Sequence, residues 1–193
     1  GDLNNDSIDD LVIDFYETSI PPLILLGSKN GKFKKLEYDA KNSARRHIRN
    51  GELADLNNDG WLDFIGFTTG DPGKVWIAEG HETYGRKIPR GQENIVLLNI
   101  EGKNFKELPV PEVRKNDWNH GGTTADLNND SFVDILPLSE GSKEFSLPLK
   151  SIGGKSFELG KHEYSKDVSY YLTSDIDAGD INNDGFQDFV VGI

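Results

Sequence analysis

Residues 55–63 read Asp-Leu-Asn-Asn-Asp-Gly-Trp-Leu-Asp, and the pattern they follow, D-x-N-x-D-x-x-x-D, occurs four times in the chain. The other copies are DLNNDSIDD at 2–10, DLNNDSFVD at 126–134 and DINNDGFQD at 180–188. Numbered 1 to 9, each copy carries carboxylates at positions 1, 5 and 9 and an amide at position 3. Positions 1, 5 and 9 of the four copies account for 12 of the 33 acidic residues, and the 21 that remain equal the 21 Lys and Arg. The whole net charge of −12 therefore resides in these loops. Carboxylates packed so closely repel one another unless a cation compensates.

The chemistry points to calcium. A hard cation takes six to eight oxygens at roughly 2.3–2.6 Å from a flexible mixture of carboxylates, amides and backbone carbonyls. Alternation turns positions 1, 3 and 5 inward, position 7 can offer its carbonyl, and position 9 closes the shell. Magnesium, which demands a strict octahedron and keeps its waters, fits less well. Position 2 is Leu3, Leu56, Leu127 or Ile181, and position 7 is Ile8, Trp61, Phe132 or Phe186. Both read as pegs that anchor the loop in a core. An EF-hand is disfavoured, because Ile13, Gly66, Pro137 and Val191 stand where its bidentate acid belongs. The flanks are also strand-like rather than helical.

Loop starts at 2, 55, 126 and 180 give spacings of 53, 71 and 54 residues. Periods of this order, with several short strands in each, are the mark of propeller blades. Strands are expected at Leu11–Tyr16, Leu23–Leu26, Phe33–Tyr38 and Ile48–Ala54 in the first unit. Others are expected after the later loops at Phe64–Phe67, Ile135–Leu138 and Phe189–Ile193, and at Phe145–Ile152 and Phe157–Leu159 in the third unit. Asp39–Arg46 is the one stretch with a helical turn signal. Small residues precede each loop (Gly1, Ala54, Ala125, Gly179), which suits strands crowded near an axis. The fold class is all-β, with blades of four antiparallel strands. The chain reads as a single segment, 1–193, of repeat units near 2–54, 55–125 and 126–179 and a partial unit at 180–193.

Composition narrows the function. A hydrophobic share of 35%, with 10 Phe, 6 Tyr and 3 Trp, is too rich for an acidic disordered tail. The acidity disfavours nucleic acid and anionic membrane surfaces as partners. No apolar run is long enough to insert in a membrane. The absence of Cys removes disulfides, thiolate catalysis and thiolate-bound zinc. The absence of Met, with Gly at position 1, leads us to expect a section of a longer chain. Further blades of that chain, or a partner chain, would then complete a propeller of six to eight.

The loops and the short strand after each resemble the FG-GAP/VCBS repeats of calcium-binding β-propellers, including those of integrin α-subunits and of many secreted bacterial proteins. The resemblance implies that each loop joins the two innermost strands of a blade and that up to four Ca2+ ions line one rim. Carried over by position, the ligands would be Asp2, Asn4, Asp6, the Ile8 carbonyl and Asp10 in the first loop, and Asp55, Asn57, Asp59, the Trp61 carbonyl and Asp63 in the second. In the third they would be Asp126, Asn128, Asp130, the Phe132 carbonyl and Asp134, and in the fourth Asp180, Asn182, Asp184, the Phe186 carbonyl and Asp188. Ser7 and Ser131 depart from the Gly expected at position 6.

The second unit is longer than its neighbours by 17–18 residues, and the excess lies between Gly70 and Glu93. It holds Trp76, His81, Tyr84, Arg86, Lys87 and Arg90, the most basic and aromatic patch of the chain. In a four-stranded blade this connection emerges opposite the loops, together with Arg45-Arg46-His47, Trp118-Asn119-His120 and Tyr170-Tyr171. Trp76, His81, Tyr84, Arg86, Trp118 and His120 are therefore the candidate ligand residues, suited to stacking on sugar faces and pairing with carboxylates. Trp76 and Tyr84 could equally pin a long loop to its blade. The expected function is an extracellular or cell-surface scaffold for adhesion that binds a protein or an acidic glycan. The alternatives are a polysaccharide lyase working on the same face and a structural surface-layer or filament component. No nucleophile elbow, phosphate loop or zinc-helix motif is present to favour catalysis.

Overall fold

Short strand-forming runs fill the chain between the loops, and the computed structural model is all-β throughout the residues it describes, 1–14, 21–39, 48–68, 94–111, 119–139, 147–161 and 175–192. The first sheet is β1 (Leu11–Ile13), β2 (Leu23–Leu26) and β3 (Lys34–Leu36). The second is β4 (Ile48–Ala54), β5 (Asp63–Thr68), β6 (Ile95–Ile100) and β7 (Asn104–Leu108). The third is β8 (Asn119–Ala125), β9 (Asp134–Ser139), β10 (Leu149–Ser151) and β11 (Phe157–Leu159), and the fourth pairs β12 (Asp175–Gly179) with β13 (Asp188–Gly192). Every pairing is antiparallel and between strands consecutive in sequence. This is a run of meandering blades. No helix among the described residues is long and apolar enough to cross a membrane.

The second, third and fourth loops each join the first two strands of their own sheet, β4–β5, β8–β9 and β12–β13. The first strands lie side by side, β4 against β8 and β8 against β12. Blades so placed bury their faces against one another. Leu3, Ile24, Ile48, Phe64, Ile95, Leu97 and Phe105 form the core between the first and second sheets. Leu56, Ile65, Phe67 and Val96 meet Ile135, Leu149 and Phe157 between the second and third. Leu136 and Leu138 meet Ile176 between the third and fourth. β5 is covered on both faces, so it reads Phe-Ile-Gly-Phe rather than alternating.

Two glycines of the innermost strands are there for space. A Cβ on Gly122 would stand 2.2 Å from the Phe67 ring of the preceding sheet and 2.7 Å from the Leu136 carbonyl oxygen. One on Gly51 would stand 2.5 Å from the Phe64 ring. The inner strands approach so closely only because these positions lack a side chain.

Most expected strands are found, with shorter bounds. β1 stops at Ile13, Phe33–Tyr38 contracts to Lys34–Leu36, and of Phe145–Ile152 the described part, from Leu147 on, is strand over Leu149–Ser151. The turn expected at Asp39–Arg46 falls outside the described residues, except for Asp39. β8 and β12, rich in Gly, Asn, Asp and Thr, lack an apolar alternation by which to be read, and β7 has only Phe105 and Leu108 as apolar residues. They are strands because neighbouring strands supply their hydrogen bonds. Gly122→Ala is expected to destabilise the fold by about 2–4 kcal/mol, since neither a packed ring nor a backbone carbonyl can give way. Gly31→Ala meets nothing within 4 Å, although it sits at φ 73°. It should cost only the left-handed penalty of about 1 kcal/mol. Equal losses in urea melts of the two variants would refute the close-approach account.

Candidate metal loops

The four loops share one hydrogen-bond pattern. The position-1 carboxylate bends over the turn, and its Oδ1 accepts from the position-5 N–H at 3.1, 3.1, 3.0 and 3.1 Å. Its Oδ2 accepts from the position-6 N–H at 2.8, 2.8, 2.7 and 2.9 Å. The position-3 amide oxygen accepts from that same position-5 N–H at 2.9–3.0 Å. The position-5 carboxylate accepts from the position-7 N–H at 2.8–3.0 Å. In the last three loops the position-3 amide also donates to that carboxylate, as Asn57 does to Asp59 at 2.9 Å. Side chains 1, 3 and 5 thus converge over one turn of backbone.

Such tight winding needs left-handed residues. Position 6 has φ 67° at Ser7, 85° at Gly60, 73° at Ser131 and 87° at Gly185. Position 4 is left-handed too, at Asn5, Asn58, Asn129 and Asn183 (φ 55–59°). Asparagine is the side-chain-bearing residue that tolerates this region best.

Position 9 does something different. Asp10, Asp63 and Asp134 are buried at 0–2% exposure. Their Oδ2 atoms accept from the position-2 N–H of Leu3, Leu56 and Leu127 at 2.8, 2.9 and 3.1 Å. Their Oδ1 atoms accept from the next strand of the sheet or its end: Gly27, Asn99 and Ser151 at 2.7, 2.7 and 2.6 Å. Asp188 makes the first of these bonds, with Ile181 at 3.0 Å. Burial pushes the Asp63 carboxyl up to about 7, opposed by the two N–H bonds and reinforced by the Asp59 and Asp55 charges. Asp134 is raised for the same reasons, burial first.

Among the described residues no three acidic or histidine side chains gather at one point. Each loop instead brings two carboxylates and an amide together and holds its third carboxylate against the backbone. The donor set is all oxygen and suits a hard cation. A carboxylate has about four lone-pair directions, so position 9 keeps acceptor capacity beyond its two bonds.

The peg expectation needs correcting at position 7. Ile8, Trp61 and Phe132 are only half-buried, and Phe186 is 61% exposed. Position 2 supplies the deep anchors, Leu3 and Leu56 at 0% and 1%, whereas Ile181 is 63% exposed. Leu3 and Leu56 are deep because each is covered by the sheet that follows. Trp76, His81, Tyr84, Arg86 and Trp118 lie outside the described residues, and of His120 only the backbone, in β8, is described. The connection that carries the first four begins where β5 ends at Thr68, the end of that strand away from the loop.

No curated protein matches the chain. The profile of the FG-GAP-like repeat family matches residues 55–136, from the first residue of the second loop into β9. Residues 55–136 thus match an FG-GAP-like repeat that takes in the second loop, the three strands β5, β6 and β7 of its blade, β8, and the loop of the next blade.

Proposed function

We propose that this chain is a calcium-stabilised β-propeller segment of an extracellular or cell-surface protein, a scaffold that presents a ligand surface at the end opposite its loops. One observation carries the cation reading: the same convergence of two carboxylates and an amide, on a backbone left-handed at positions 4 and 6, occurs in all four loops. Positions 1, 3 and 5, the position-7 carbonyl and the free lone pairs of position 9 would hold calcium, which supplies the positive charge that the loops lack. The chain's own work is to orient those oxygens. The position-1 and position-9 carboxylates do so by binding backbone N–H groups, which hold the turn wound.

Calcium at 100-fold excess over its Kd should add about 2.7 kcal/mol per site if the unfolded chain does not bind it. Chelation should lower the melting temperature, and magnesium should restore it poorly. The pH dependence in chelator has a definite sign. Asp63 rises from 3.8 to about 7 on folding, so its contribution favours the folded state at low pH and is lost as pH rises towards and through 7. That component of stability should therefore fall between about pH 4 and about pH 7, and saturating calcium should remove the slope. Melts that ignore both chelator and calcium would exclude the cation reading.

Ser131→Gly should stabilise the calcium-bound third loop by about 0.5–1 kcal/mol by relieving a left-handed serine, less the extra freedom gained by the unfolded chain. Calorimetric calcium titration of the variant against the parent decides this. For the opposite end, replacing Trp76 and Arg86 together should abolish retention on an acidic polysaccharide column while leaving calcium-dependent melting unchanged. Retention undiminished by that change would remove the ligand surface from this stretch.

A further inference from the structure

The loops are not independent of one another. The Asn5 amide donates to the Gly60 carbonyl at 3.1 Å, the Asn58 amide to the Ser131 carbonyl at 2.5 Å and the Asn129 amide to the Gly185 carbonyl at 3.2 Å. In each case position 4 of one loop reaches position 6 of the next, across 55, 73 and 56 residues of sequence. All three junctions have the rung, although the second spans the longest unit.

Its acceptor is strategically placed. The peptide between positions 6 and 7 receives the neighbour's amide on its carbonyl, and its own N–H points at the position-5 carboxylate, as Phe132 N–H does to Asp130 at 2.8 Å. The preceding N–H, that of Ser131, donates to Asp126 at 2.7 Å. One foreign amide therefore fixes the peptide plane that orients the position-5 carboxylate, next to the peptide whose N–H holds the position-1 carboxylate, and bonds on either side of one peptide reinforce each other. The donor is also fixed within its own loop, because the next N–H, that of Asp59, is shared by the Asp55 and Asn57 oxygens.

Backbone contacts strengthen the first two junctions. A Cβ on Gly102 would stand 2.7 Å from the Asn4 Cα, and one on Gly154 2.6 Å from the Asn57 Cα. The β6–β7 turn of the second sheet and the β10–β11 turn of the third thus lie directly on position 3 of the preceding loop. Buried Asn99 adds a second bridge at the first junction. Its N–H holds Asp63 at 2.7 Å, and its amide holds the Leu3 carbonyl at 2.7 Å.

We propose that the position-4 asparagines are positioning residues that couple cation binding between adjacent loops, so that an occupied loop raises the affinity of its neighbours. The inference rests on the calcium reading above. Coupling of this kind is reciprocal, acting equally up and down the row. A rung of hydrogen-bond strength corresponds to a change in affinity of about two- to tenfold.

Trp61 makes the test direct, since it is part of the second loop and sensitises terbium luminescence from an ion bound there. The full chain is titrated with terbium, indole is excited at its red edge, and Trp61→Phe identifies the second-loop signal. Disabling the third loop with Asp126→Ala and Asp130→Ala should weaken second-loop binding about two- to tenfold in the parent. The same disablement should have no effect in an Asn58→Gly background, which keeps the left-handed backbone and removes the amide. Asn58→Asp, which keeps the side-chain shape and removes both donors, should uncouple the loops likewise. Coupling that persists in either folded variant, or is absent from the parent, overturns the proposal while the luminescence itself upholds the cation reading. Absence of any sensitised signal in the parent overturns both.

Discussion

An aspartate at the root of each loop, buried in the first three, ties the turn to its sheet. One oxygen of Asp63 accepts from Leu56 at the loop's start, and the other from Asn99 in the third strand of the blade. The same carboxylate thus closes the nine-residue loop and crosses β5 to β6, so loop and blade cannot form separately. Burying a carboxylate is unfavourable unless donors surround it, and burial pushes Asp63 up to about 7 despite its two N–H bonds, with the Asp59 and Asp55 charges adding to the rise. Desolvated negative charge sits directly behind the two carboxylates that cover the turn. The proposed cation and the fold are two answers to that one electrostatic problem.

Much of this was legible in the sequence because it is periodic. The loops, their spacing, the strand after each and the left-handed position 6 all follow from residue types repeated in one register. What remained hidden depends on contacts between repeats. Position 7 is more bulky and apolar than position 2, and hydrophobicity alone would bury it deeper, yet Leu56 is the buried anchor and Trp61 is half-exposed. Position 4 is asparagine in every loop, but it reads as one more polar turn residue. Its value lies in an acceptor some 55 to 73 residues away, which no local window contains. β12 escaped notice for a related reason: Asp-Ile-Asp-Ala-Gly has little strand propensity, and its ladder with β13 decides its state.

The burial of equivalent residues shows how stability is distributed. Leu3 and Leu56 are fully covered, Leu127 is half-covered, and Ile181 is exposed at 63%. The residues are nearly identical in chemistry and differ only in what lies over them. Stability in such an array is carried largely by interfaces between units, as in other repeat proteins, rather than within each unit. Glu52 illustrates the accompanying polar cost at an inner seam. Its carboxyl is held up by burial even though it accepts from the Thr124 hydroxyl of the adjacent blade at 3.0 Å, and the Asp177 and Asp175 charges add to the rise.

The β4–β5 and β8–β9 ladders both shift register at the end away from the loop, between Ile48 and Asn50 and between Asn119 and Gly121. Towards the loop they run in unbroken register to Ala54–Asp63 and Ala125–Asp134. The two ends of a blade therefore differ in what they demand of the chain. One is metrically fixed, since a residue gained or lost there would misplace a carboxylate, a rung and a buried anchor together. The other begins with an irregularity already absorbed, and the 71-residue unit shows that extra length entering there leaves the loop end intact. For evolution or for protein engineering, that end is the natural place to graft new binding segments, each one held in place by a frame whose register it cannot disturb.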